Sequence, residues 1–358
     1  MDSNYQTSRQ QDSRTGILSR TAGIRESRKF FSLVSRTLLP AEDEQQQDDP
    51  LLDLEELLRQ TWNIWGVSVL FDFHCDNEVQ LKQYAKKLRE EVACILSQDE
   101  VSYEAKISVL DIQRPKESDH PVVKIEVHAR LTGREDKESC VYKGYLLSWR
   151  SHTLTDVPTE NSSRLPLLLC RGTPKTMRAV HATLTRMFDC MFVGLPADAE
   201  DLMWLLPIII SPGGGQDTAR DSDEALLEYG VPGLPNSESI TIKFHVKNLT
   251  TLWKSWLLLK KAICAFSFLD DKDKIDAEEV EKFHKVLQRQ VMEISNVQLG
   301  LCMLHRIHLP CLTISGSKMK VMNVEAMDTI LTYLNEKALD ALHILIDASF
   351  ITLLKWLM

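Results

Sequence analysis

Val123-Lys124-Ile125-Glu126-Val127-His128-Ala129-Arg130-Leu131 alternates apolar and polar residues without a break. A period of two puts Val123, Ile125, Val127, Ala129 and Leu131 on one face of a strand and the charged residues on the other, so one face is wet and one packed. Tyr103, Ala105, Ile107 and Val109 show the same period upstream, and Tyr142 to Trp149 forms a third run downstream. Between them lie breaker-rich loops, at Arg114-Pro115-Lys116 and Thr132-Gly133-Arg134-Glu135-Asp136. Consecutive strands joined by short polar turns predict an antiparallel meander. Regular strand–helix–strand alternation is missing, which argues against a Rossmann or barrel fold.

Outward from this meander, Leu51, Leu54, Leu57 and Leu58 recur at helical spacing up to Trp62. Trp65, Val67, Val69, Phe71 and Phe73 alternate as a strand, and Leu81, Ala85, Leu88 and Val92 return to a helix. Leu165-Pro166-Leu167-Leu168-Leu169 predicts a short buried strand, followed by a helix over 175–191 and another from Asp198 that Pro207 breaks. Residues 211–236, with three consecutive glycines and Pro232-Gly233-Leu234-Pro235, predict a flexible linker loop. Beyond it, Ile240, Ile242 and Phe244 form a strand, and Asp276 with Glu279 has the form of a capping box. Alternation from Val297 to Leu309 predicts one long strand, with Lys318 to Val324 as its hairpin mate after Ser315-Gly316-Ser317. A last helix buries Ile330, Leu331, Leu334, Ala338 and Leu342. The predicted class is α+β: a mainly antiparallel β-sheet with helices packed on one side, in two lobes at 51–210 and 237–342. Residues 1–50, low in apolar content and blocky in charge, predict a disordered N-terminal tail. Residues 343–358 form an apolar extension.

The 358 residues carry 42 Lys and Arg against 51 Asp and Glu, a net charge of −9, so no global basic field points to nucleic acid. Eight cysteines without repeated spacing predict free thiols in a reducing compartment. The most apolar stretch, Ala341 to Met358, carries His343, Asp347 and Lys355, and a packed helix fits it better than a membrane anchor. Pro212-Gly213-Gly214-Gly215 lacks the cation of a phosphate cradle. A calcium loop counted from Asp271 fails at Ile275, Asp276 and Lys282. Cys302, His305, His308 and Cys311 are zinc-ligand types, but a strand sends residues three apart to opposite faces. No catalytic, cofactor or metal residue is therefore expected. The alternative from another class is a small hydrolase or transferase using Cys190 with His181. Large rings at Trp62, Trp65, Trp149, Trp204, Trp253 and Trp256 suit either an interaction surface or a core.

An ordered series carries a resemblance: Gln60-Thr61-Trp62, the strand Val67 to Phe73, Leu81-Lys82-Gln83-Tyr84, and Leu165 to Leu169 followed by Phe188-Asp189-Cys190-Met191-Phe192. Leu202, Trp204, Ile240, Ile242, Phe244, Leu252-Trp253 and Glu278-Glu279-Val280 with Phe283 continue it. Over residues 51 to 340 the chain resembles the centromere protein L family of kinetochore subunits. Trp256 to Leu269 and the stretch after Leu342 depart from the family pattern. The resemblance implies a curved sheet and a non-enzymatic scaffold, without cofactor or membrane, in the nucleus at the centromere. It implies a heterodimer with centromere protein N through the C-terminal half, joined to centromere protein C and other inner-kinetochore subunits. The centromeric nucleosome would be read mainly by the partner, with linker DNA nearby. Strand addition along 297–309 and its mate then places Val297, Leu299, Leu301, Met303, Leu312 and Ile314 in or just beneath the partner interface; the other reading of these residues is central-strand core. Lys318 and Lys320 are the candidates for DNA contact.

Overall fold

The computed structural model describes residues 50–98, 100–110, 116, 119–131, 138–150, 161–211, 213–215, 222–235, 238–264 and 275–357. The expected tail lies outside these residues, apart from Pro50. A 3-10 helix, Pro50–Leu57, leads into β1 (Thr61–Val67), β2 (Leu70–Phe71), α1 (Glu78–Leu96), β3 (Val101–Val109), β4 (Val123–Leu131) and β5 (Glu138–Leu147). Then come β6 (Ser162–Ser163), β7 (Leu167–Gly172), α2 (Pro174–Phe188), β8 (Phe192–Gly194) and α3 (Ala199–Ile210). The C-terminal half holds β9 (Glu224–Gly230), β10 (Ser239–His245), α4 (Val246–Cys264), α5 (Ala277–Ser295), a 3-10 turn (Leu299–Leu301), β11 (Met303–His308), β12 (Leu312–Ser315), β13 (Lys318–Val321) and α6 (Val324–Leu357).

One sheet runs β10-β9-β11-β12-β13-β1-β7-β5-β4-β3, and β8 pairs with the end of β1. Its pairings are antiparallel, so the expected α+β class and mainly antiparallel sheet are observed. Pairing of β13 with β1 joins the two halves of the chain in that sheet, so the bounds 51–210 and 237–342 do not separate two sheets. The strands' alternation builds a core on each face. Trp62, Ile64, Tyr145, Leu147, Leu167 and Leu169 pack on one side with α3, α5 and α6. Val67, Tyr142, Leu146, Leu168 and Cys170 pack on the other with α1 and α2. Helices therefore stand on both faces, not on one: α1 and α2 cover the β3 end of one face, and the remaining helices cover the opposite face.

Three local expectations are corrected. The presumed linker contains β9, a strand paired on both sides, because Ala225, Leu227 and Tyr229 alternate inward. The long strand 297–309 is interrupted: Leu299–Leu301 turns as a 3-10 helix after Asn296 ends α5 in the left-handed region, and only Met303–His308 is extended. Lys318–Val321 pairs with β12 and β1 rather than with β11.

Pro207 does not break α3. A proline has no N–H, so the carbonyl four residues earlier, Met203, loses its helical donor. His284 Nε2 from α5 donates to that carbonyl at 2.8 Å instead. The capping boxes Asp198/Asp201 and Asp276/Glu279 start α3 and α5. Burial pushes His284 down to about 4, against the bond to Met203, and burial also pushes His181 down to about 4. An unfolded imidazole takes up its proton near 6.5. The unfolded chain therefore binds more protons between those values, and stability falls as pH drops through that window, by at most about 1.4 kcal/mol per pH unit for each histidine. Asp340, raised to about 6 by burial, acts in the opposite sense at lower pH and offsets part of this. The urea midpoint is expected to fall between about pH 7 and pH 5. His284→Gln, which keeps a donor but does not titrate, flattens the profile; an unchanged slope in that variant contradicts this origin.

Candidate partner interface

A sheet of this kind has two edges, and they decide where another chain can pair. Among the described residues, the edge in the C-terminal half is β10. Val246 N–H donates to the Asp223 carbonyl at 3.0 Å, in line with the β10–β9 register. Alternation along the ladder then commits the even-numbered residues to β9 and directs the backbone groups of Ser239, Thr241, Lys243 and His245 outward. Beside this edge, α4 and α5 leave a groove of about 730 Å³ lined by Ile242, Phe244, Leu252, Leu287, Val291 and Ile294. Ile294 on its rim is 88% exposed. Lys243 pairs with Glu224 at 3.3 Å in the open.

The expected interface residues separate into two groups. Leu299, Leu312 and Ile314 are fully buried in the core, and Val297 is half-buried against it. Leu301 and Met303 stand 70% and 61% exposed. Met303 lies opposite Gly230, at the end of the sheet where Leu234 is also exposed. β11 pairs with β9 from Met303 to His308 and with β12 from Arg306 to His308, so it has no free edge over Arg306–His308. The edge that is open, β10, was readable as a strand. Its edge position was not, because it depends on where β9 inserts.

Lys318 and Lys320 are exposed on β13, on the face opposite its buried Met319 and Val321, and neither makes an ion pair among the described residues. In register with them lie Ser315 and Thr313, and then Arg306 and His308 on β11. Arg306 is 3.4 Å from Glu228, and His308 Nδ1 meets the Thr313 hydroxyl at 2.6 Å.

Cys190 and His181 do not form a pair. Cys190 is buried with its Sγ directed at the Leu184 carbonyl, and burial pushes its thiol up to about 12. His181 stacks on Phe192 and approaches Tyr142 OH and Cys170 Sγ at 3.5 and 3.8 Å. Burial also pushes Cys170 up to about 12. A neutral thiol beside a neutral imidazole is a packed contact rather than an activated nucleophile. No group of three or more His, Cys, Asp or Glu among the described residues is placed to hold a metal ion. None of the described helices is long and apolar enough to cross a membrane.

The family model for centromere protein L matches residues 56–339. The chain belongs to the centromere protein L family. Chicken (Gallus gallus) centromere protein L is 24% identical over 206 residues, 55% of this chain and 58% of that protein. The chain thus matches a little over half the length of that relative. The mouse (Mus musculus) protein is 24% identical over 256 residues, 67% of this chain and 74% of its own. The Xenopus tropicalis protein is 22% identical over 334 residues, 89% of each. Centromere protein L membership makes this a centromere and kinetochore protein of chromosome segregation. The matched span runs from the 3-10 helix into α6, so it includes both sheet edges.

Proposed function

We propose that this chain is a non-enzymatic inner-kinetochore scaffold in the nucleus that heterodimerises with centromere protein N through its C-terminal sheet edge. The observation that carries the reading is β10: an exposed strand edge with an apolar groove beside it, on a centromere protein. Main-chain bonds to Ser239, Thr241, Lys243 and His245 would supply affinity, and the groove would select side chains. Leu301 and Met303 extend the apolar contact, with Leu299, Leu312 and Ile314 as the core that holds it in place. The dimer then works with centromere protein C and other subunits on the centromeric nucleosome, the histone variant being read mainly by the partner. Co-expression with centromere protein N followed by size-exclusion chromatography tests this. One co-eluting complex is expected, and two separate peaks contradict it.

Lys318 and Lys320 support a contact of the assembled dimer with linker DNA. Each lysine on a phosphate lowers the slope of log affinity against log salt by about 0.9. The complex carrying Lys318→Glu and Lys320→Glu is expected to show a slope shallower by about 2 in duplex-DNA titrations. An unchanged slope removes these two residues from the contact.

A further inference from the structure

The opposite edge of the sheet, β3, reads Val101-Ser102-Tyr103-Glu104-Ala105-Lys106-Ile107-Ser108-Val109. This strand is nearly symmetric in its chemistry about Ala105. Valines end it, serines stand inside them, bulky Tyr103 and Ile107 follow, and a carboxylate and an ammonium flank the centre. Among the described residues, only β4 pairs with it. Leu110 N–H donates to the Val122 carbonyl at 2.9 Å, in line with the β3–β4 register. Even-numbered residues of β3 are therefore committed to β4, and the backbone groups of Val101, Tyr103, Ala105, Ile107 and Val109 point away from the sheet.

We propose that β3 pairs antiparallel with β3 of a second copy of this chain, on a two-fold axis at Ala105. An axis on Glu104 or on Lys106 would set a like charge opposite itself, whereas an axis on Ala105 does not. Its small side chain suits a position where a residue meets its own copy. In this register Glu104 faces Lys106 of the second copy, twice, and Tyr103 faces Ile107. Ser102 faces Ser108, and Val101 faces Val109. The five outward residues of each copy would exchange about ten main-chain hydrogen bonds.

A lone lysine inside an edge strand is a device that blocks pairing, because it meets itself or an apolar neighbour. Glu104 changes that outcome, since the two-fold brings opposite charges together. Opposite charges across a strand pair stabilise it, and like charges destabilise it. Neither Glu104 nor Lys106 makes an ion pair among the described residues, so both are available. α1 and β3 line a groove of about 740 Å³ beside this edge. Its wall mixes Lys82, Lys86 and Arg89 with Asp76 and Glu78, which favours a copy of the same surface over a partner of one sign.

Sedimentation velocity of the full chain over a rising micromolar series tests this. The wild-type chain is expected to shift from monomer to dimer. Glu104→Lys and Lys106→Glu each set like charges opposite one another and are expected to weaken the dimer at least tenfold. An equimolar mixture of the two variants restores it, because each then offers the charge the other lacks. Ala105→Pro removes an N–H at the axis without costing a bond to β4, and it is expected to be monomeric with native circular dichroism. A wild-type chain that stays monomeric overturns the proposal. So does a dimer that Glu104→Lys and Ala105→Pro leave intact, or a variant mixture that fails to reassociate.

Discussion

Trp62→Ala is expected to lower the free energy of unfolding by about 3–5 kcal/mol, the range for emptying a buried tryptophan site. Trp62 is fully buried in β1, the strand that joins the two halves of the sheet. Its Nε1–H donates to the Leu57 carbonyl at 2.8 Å, tying the 3-10 helix to the strand. Its ring meets Tyr145 edge-on at 5.4 Å, and the Arg171 guanidinium lies 5.7 Å above it. The same helix is held a second way. Burial works to raise the Glu56 carboxyl, yet hydrogen bonds from Lys124 and Lys143 outweigh it and hold the group at about 2. Alanine at 62 leaves a cavity beneath this segment and orphans the Leu57 carbonyl. Trp62→Phe keeps most of the packing and loses the hydrogen bond, so about 1–3 kcal/mol is expected. Urea titrations followed by circular dichroism separate the two variants; equal losses would mean that the hydrogen bond and not the ring volume dominates.

Thr241→Pro is expected to weaken binding to centromere protein N by roughly tenfold to a hundredfold, corresponding to about 1–3 kcal/mol for an unmade bond and an unsatisfied carbonyl on the partner. The site is chosen because the Thr241 N–H points away from β9, so proline removes no bond of the chain's own sheet. Leu301→Asp tests the neighbouring surface. Leu301 is exposed in the free chain, so the variant should fold normally and fail only when the partner must desolvate the new charge. Pull-down by tagged partner, with circular dichroism on the free variants, reads both. Binding that survives in a folded Thr241→Pro chain argues against strand addition at β10.

The period of two in β3, β4 and β5 made the meander legible, because residues with one face wet and one packed can alternate in no other regular structure. Asp276 with Glu279 was equally legible, since a cap acts within one turn of chain. Position within the sheet was not. Leu304 and Ile307 face the core across a register shift, so the simple alternation through His305 and Arg306 merges a turn and a strand into one apparent run. Val297, Leu299, Leu301 and Met303 share a parity in sequence but not an environment, because the 3-10 turn rotates them apart. Residues 211–236 looked like a linker because of their glycines and prolines, which bracket β9 without entering its interior. Which strands are edges depends on pairings between distant segments such as β13 with β1, and no local pattern encodes those. For the same reason the sequence could suggest Leu301 and Met303 at a surface but not β10 as the open edge.

Amide hydrogen exchange of the full chain, with and without centromere protein N, tests the docking edge most directly. The amides of Thr241, Lys243 and His245, which face away from β9, should exchange freely in the chain alone and slow strongly in the complex. Slowing confined to other segments, with these amides still exchanging at their free rate, would contradict a partner strand at β10.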